Sequence, residues 1–224
     1  MLPLTVAWYL SDRTLPPRFM AVMVGIALIA LPAVLILRQP DLGIALLIAG
    51  SGLFVLYMAG MAWRYIGGAV LLAVASAWPA WMFVLKDYQK QRIITMLDPE
   101  SDKLGAGWNI IQSKTAIGSG GWQGKGWMNG TQSQLDFLPE SHTDFIIAVL
   151  AEEFGLRGIL LLLGIYLLIL LRGFWIGLHA QTSFGRMMAG SLTLTFFVYI
   201  FVNMGMVAGL LPVVGVPLPM LTKI

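Results

Sequence analysis

Four stretches of this chain, residues 19–37, 42–63, 66–85 and 187–211, contain no Asp, Glu, Lys or Arg at all. A helix needs about 20 consecutive apolar residues to cross a bilayer. Only helices and closed barrels can cross, because a backbone N–H or C=O has no water to bond inside lipid. Each run is therefore predicted to be a spanning helix. A fifth segment, 145–171, carries Glu152, Glu153 and Arg157 in its first half and is uncharged from Gly158 onward. An amphipathic surface helix is the alternative there, but the dense Leu/Ile tail favours a span. Residues 1–10 are too short to cross and read as the end of a further span. The expected fold class is thus all-α, a polytopic membrane helical bundle of about five complete spans plus a partial N-terminal one, forming a single membrane domain over residues 1–224.

Composition narrows the function. Charged residues make up 11% of the chain, roughly half the share of a soluble domain. The 14 basic residues are scattered rather than clustered, which argues against nucleic acid as a partner. With no cysteine, disulfides, thiolate metal sites and cysteine catalysis are excluded. Two histidines, His142 and His179, are too few for a His-rich metal site. Residues 1–10 lack the basic start and small-residue cleavage site of a signal peptide.

Orientation follows from the short connections. Arg13, Arg18, Arg64, Arg172 and Arg186 fall on one side of an alternating five-span arrangement, while the opposite short turn, RQPDLG, offers Arg38. The first side is expected to be cytoplasmic, and the long loop 86–143 extracytoplasmic. That loop is rich in glycine and holds Tyr88, Trp108, Trp122, Trp127 and Phe137. Such aromatics suit a membrane interface or a sugar-binding surface. Residues 91–98 and 108–117 are predicted to form short helices within it.

Two glycine-rich readings fail on spacing. GSGGWQGKGWMNG (118–130) has Gly126 after Lys125 where a phosphate loop requires Ser or Thr, and no dinucleotide fingerprint fits. The segment is either a plain glycine-rich connection or one whose N–H groups and Lys125 approach an anion. In IIQSKTAIGSG (110–120), Lys114 is either a solvated lysine or a group that neutralises a phosphate.

Four carboxylates crowd into LPESHTDFIIAVLAEEFG (138–155). Ser141 to Asp144 matches a capping box, so Asp144 has an ordinary role as a helix cap. Capping does not exclude catalysis, and an acid at the mouth of a membrane helix is well placed to act as a base. Glu153 and Arg157 are four apart and are predicted to form a helical ion pair facing the bundle interior. Asp41, in QPDLG, sits at another helix mouth, where its ordinary role is again an N-cap.

Taken together, RQPDLG, SGLFVLYMAGMAWR, MLDPESDKLGAGWNIIQSKTAIGSGGWQGKGW, GTQSQLDFLPESHTDFIIAVLAEEFG and VNMGMVAGLLPVVGVPLP resemble the RodA branch of the SEDS (shape, elongation, division and sporulation) proteins. The resemblance runs from near the start to Pro219. It implies a bacterial inner-membrane peptidoglycan glycosyltransferase that polymerises lipid II into glycan strands during cell elongation. It also implies a class B penicillin-binding protein and the MreC and MreD proteins as partners, besides membrane lipids. The family's essential acid falls on Asp144 and a second functional acid on Asp41. Family members carry further spans before the matched region. Residues 220–224 read MLTKI where members have a serine-tyrosine-glycine-glycine motif. The chain is accordingly expected to be a partial or truncated member.

The implied reaction is displacement at an anomeric carbon. It needs a base for the incoming hydroxyl and positive charge beside the departing pyrophosphate. Asp144 is the expected base. Lys114, Arg92 and Lys125 are the candidates for the phosphate side, with Gln112, Glu140 and Asp41 as further substrate-binding candidates. Mg2+ or another divalent cation would suit the same charge, although no compact ligand motif marks it. A lipid II transporter and a non-catalytic scaffold for the crosslinking enzyme remain open as alternatives.

Overall fold

The computed structural model describes residues 1–39, 41–102, 105–131 and 143–221. Every regular element in them is helical: α1 (Leu2–Ser11), α2 (Phe19–Leu37), α3 (Leu42–Met58), α4 (Trp63–Pro79), α5 (Asp87–Leu97), α6 (Ala106–Gly120), α7 (Ile146–His179) and α8 (Ser183–Val207). A π-helical turn, Ala80–Val84, follows α4, and a 3-10 turn, Pro99–Asp102, follows α5. Three of these helices, α2, α7 and α8, are long and apolar enough to cross a membrane. Many of their large side chains, among them Leu31, Leu161, Leu168 and Leu178, are exposed, which only a lipid solvent makes tolerable. The protein is a membrane protein.

The expected spans at 42–63 and 66–85 come out differently. Helix α3 stops at Met58 because Gly60 takes a left-handed conformation (φ 85°). Its N–H bonds Tyr57 O at 3.0 Å, and Met61 N–H bonds Leu56 O at 3.2 Å, the paired bonds of a Schellman end. Helix α4 keeps α geometry only to Pro79, whose missing N–H breaks the ladder and passes it to the π turn. Helix α8 also ends earlier than predicted. Gly209 (φ 70°) repeats the Schellman pattern, with Gly209 N–H to Met206 O at 2.9 Å and Leu210 N–H to Gly205 O at 2.7 Å.

The chain divides into two compact units. One comprises Met1–Asp87 with Leu170–Phe197. Its core gathers Val6, Ala7 and Leu10 of α1, Ala21 and Ile29 of α2, Val55 and Leu56 of α3, and Met187 of α8. Small residues let its helices close on each other. A methyl group at Gly25 would lie 2.9 Å from Leu56 Cδ2, and Gly52 is filled by Ile29 and Leu2.

The second unit comprises Tyr88–Ile169 with Val198–Ile224. The predicted short helices within 86–143 appear here as α5 and α6, each longer than the patterns at 91–98 and 108–117 indicate. Helix α6 docks on the end of α8, where the buried Ser113 hydroxyl donates to Val207 O at 2.9 Å. Beyond α8, residues 212–218 adopt no regular secondary structure. Val216 and Leu218 are buried, while Gly215 and Pro217 face outward.

Helix α7 is broken at Gly155 (φ 66°, ψ −163°). The glycine-rich segment bridges the break with backbone bonds. Lys125 N–H and Gly126 N–H donate to Glu152 O and Glu153 O, each at 2.9 Å, and Leu156 N–H donates to Gly121 O at 2.9 Å. The segment thus satisfies terminal carbonyls and N–H groups that the break would otherwise leave unbonded in an apolar setting. Only glycine reaches the Gly155 conformation without strain of about 1–3 kcal/mol. A Cβ there would also meet the Gly124 N atom and lie 2.8 Å from Trp122 C. Gly155→Ala is expected to lower the melting temperature in detergent by several degrees. An unchanged melting curve would show that the break is not held by this bridge.

Candidate functional site

Asp144 stands in the turn that precedes α7, whose first residue is Ile146. The helix therefore starts later than a capping box at Ser141–Asp144 requires, and Asp144 lies ahead of the first helical turn. Ser141, His142 and Glu140 lie outside the described residues. The Asp144 backbone carbonyl accepts from Asn203 Nδ2 at 2.8 Å, and the same nitrogen donates to Val216 O at 2.7 Å. Tyr166 Oη donates to Pro219 O at 2.9 Å. Side chains of α7 and α8 thereby fasten both the acid-bearing turn and the irregular 212–219 segment.

Between them opens a cleft of about 510 Å3. Thr143, Asp144 and Phe145 form one wall, and Val213, Gly215 and Pro217 another. Arg92 of α5 and Asn109 of α6 complete it. A Cβ on Gly215 (φ 69°) would lie 3.4 Å from Asp144 Oδ2, so the bare glycine keeps the space beside the carboxylate open. One guanidinium, one carboxylate and one carboxamide thus share a cavity within the size range of ordinary ligand sites.

The other candidates are distributed as follows. Lys114 lies outside the lining of this cleft, its Nζ resting against Gly209 at the end of α8. Gln112 is half-buried one turn along α6 from Asn109. Asp41 caps α3, its Oδ1 accepting from Ile44 N–H at 3.0 Å. Lys125 is engaged by the protein itself: Nζ lies 2.6 Å from Glu152 Oε1. Glu152 is 0% exposed and also accepts from Thr131 N–H at 2.8 Å and Thr131 Oγ1 at 2.9 Å.

The predicted Glu153–Arg157 ion pair does not form. The break at Gly155 destroys the helical spacing that would join them. Glu153 instead accepts from Met128 N–H at 3.2 Å, and the Arg157 guanidinium lies over the Trp122 ring at 5.9 Å.

Asn203 is the residue sequence reasoning missed. Its signal was legible, since an amide inside an uncharged membrane-length helix demands a partner. The identity of that partner was not. Among the described residues no three His, Asp or Glu side chains come together as a metal site, and no step is routed through a divalent cation.

A profile described as "cell cycle protein", FTSW_RODA_SPOVE, matches residues 1–223. The chain is 58% identical over 220 residues to the peptidoglycan glycosyltransferase MrdB of Escherichia coli K12, covering 98% of this chain and 60% of that protein. It is 41% identical over 195 residues to a probable peptidoglycan glycosyltransferase FtsW of Geobacter metallireducens, covering 87% of this chain and 51% of that one. Among solved structures, a chain of a peptidoglycan synthase complex that coordinates polymerization and crosslinking superposes with a TM-score of 0.80 at 29% identity. The match covers 99% of this chain and 61% of that one. A mutant of the rod shape determining protein RodA from Thermus thermophilus superposes at 0.62 and 24% identity, covering 98% and 55%, and shows the same fold. The chain thus spans well under two thirds of the length of the relatives it matches.

Proposed function

The chain belongs to the FtsW/RodA/SpoVE family, and on that premise we propose that it carries the site of a peptidoglycan glycosyltransferase of the bacterial inner membrane. In this reading five spans cross the bilayer, residues 86–143 lie on the periplasmic side, and the substrate is lipid II. A class B penicillin-binding protein is the partner, by analogy with the synthase complex, with MreC and MreD as further members of an elongation assembly.

The observation that carries the reading is Asp144 and Arg92 lining one cleft. The Asp144 carboxylate takes the proton of the acceptor sugar hydroxyl. The freed oxygen attacks the anomeric carbon of the donor, the glycosidic bond forms, and the bond to the lipid pyrophosphate breaks. The departing oxygen gains negative charge, which Arg92 is placed to stabilise, with Lys114 as a secondary cation. The proton leaves Asp144 to solvent or to the released pyrophosphate. Lys125 is already paired with Glu152, which leaves Arg92 as the leading phosphate-side group.

Incubation of the purified protein, with its penicillin-binding partner, with lipid II is expected to yield glycan strands. Movement of lipid II across vesicle bilayers without any polymer would overturn the enzyme in favour of a transporter. Arg92→Gln, which keeps hydrogen bonding but removes the charge, is expected to cut kcat/KM by about 10²–10³-fold. Full activity in that variant would remove Arg92 from the mechanism.

A further inference from the structure

Asn203 sits one turn before the end of α8 and is 0% exposed. Both hydrogens of its amide nitrogen are used, one on Asp144 O and one on Val216 O. Its Oδ1 is buried with no partner among the described residues. An unpaired buried acceptor is expensive, so the position tolerates that expense for what the nitrogen does.

The nitrogen ties together two carbonyls that come from segments 59 and 13 residues away in sequence. A serine hydroxyl has one hydrogen and could hold only one of them. An aspartate would set oxygen against oxygen, and an aliphatic side chain would hold neither. The two carbonyls flank the cleft. One belongs to Asp144 itself. The other belongs to Val216, between the cleft-lining residues Gly215 and Pro217. The single amide therefore sets both where the carboxylate-bearing backbone stands and how far the Gly215 wall stands from it.

We infer that Asn203 is the positioning residue for Asp144, acting through the Asp144 backbone carbonyl rather than on substrate. The inference rests on the proposed function and assigns α8 a part in it that contact with substrate would not reveal.

The test compares Asn203→Ala, Asn203→Ser and Asp144→Asn in the same protein, measuring kcat and KM for lipid II polymerisation and the melting temperature. Misplacing a reacting group by about 1 Å can cost about 10²-fold, so Asn203→Ala is expected to lower kcat by about 30–100-fold with KM within about threefold. Asn203→Ser, whose single hydrogen can make at most one of the two bonds, should stay below the unaltered protein and not below Ala. Unchanged kcat in a folded Asn203→Ala, or a rise in KM alone, would overturn the inference. So would failure of both the Ala and Ser variants to fold, because the amide would then be a structural rivet. Inactive Asp144→Asn beside fully active Asn203→Ala overturns the positioning role alone. Fully active Asp144→Asn overturns the base assignment, and the positioning role with it.

Discussion

Replacing Asp144 by asparagine is expected to remove glycan synthesis while leaving the protein folded. The substitution is isosteric. It leaves the backbone carbonyl that Asn203 holds and the turn that carries it. What it removes is the ability to accept a proton from the attacking hydroxyl, a contribution of about 10²–10⁴-fold for a positioned base. The loss should appear in kcat, with KM for lipid II and the melting temperature nearly unchanged, because asparagine occupies the same space beside Gly215. Normal amounts of polymer from this variant, assayed with purified lipid II, would end the proposal that Asp144 is the base.

The second large effect is on stability. Lys125→Met should destabilise the protein more than Glu152→Gln does. Glu152 is wholly buried, whereas the Lys125 side chain is 29% exposed. Removing the lysine takes the cation away from a buried carboxylate, and stranding one member of a buried pair costs about 3–5 kcal/mol. Thr131 N–H and Oγ1 keep donating to that carboxylate, which places the loss near the lower end. Removing the acid instead frees a lysine that can reach water, and glutamine still accepts from Thr131. Changing both residues together, Lys125→Met with Glu152→Leu, should recover much of what Lys125→Met alone loses. Thermal unfolding in detergent reads all three. A Lys125→Met protein that melts like the unaltered one would show the pair to be energetically idle.

The ion pair also bears on what could be read in advance. Lys125 and Glu152 are 27 residues apart, and no local spacing joins them. The local rule pointed to Glu153–Arg157 instead, and it failed because Gly155 breaks the helix between them. The glycine-rich stretch around Lys125 carried no recognisable motif for the same reason. Its order comes from backbone bonds to the two sides of that break rather than from a pattern of its own.

Helix ends show a second limit. The charge-free runs extend past Met58 and past Val207, so composition alone carries α3 and α8 too far. Gly60 and Gly209 stop them. A glycine in an apolar run announces an end only when the next residues fold back to bond the preceding turn.

Sequence by itself determined that this chain is helical and lives in a membrane. Desolvating the backbone in lipid permits almost nothing else for uncharged runs of that length. It also offered Asp144 as the candidate base, from its place at a helix mouth and the family resemblance, and Lys114, Arg92 and Lys125 as phosphate-side candidates without choosing Arg92 among them. Only the tertiary structure decided which of those charges meet. It brought Arg92 and Asp144 to one cleft, gave Lys125 to Glu152, and set a buried amide from α8 behind the acid. Such pairings depend on where a broken helix and an irregular segment lie in space, and residues far apart along the chain acquire that neighbourhood only on folding.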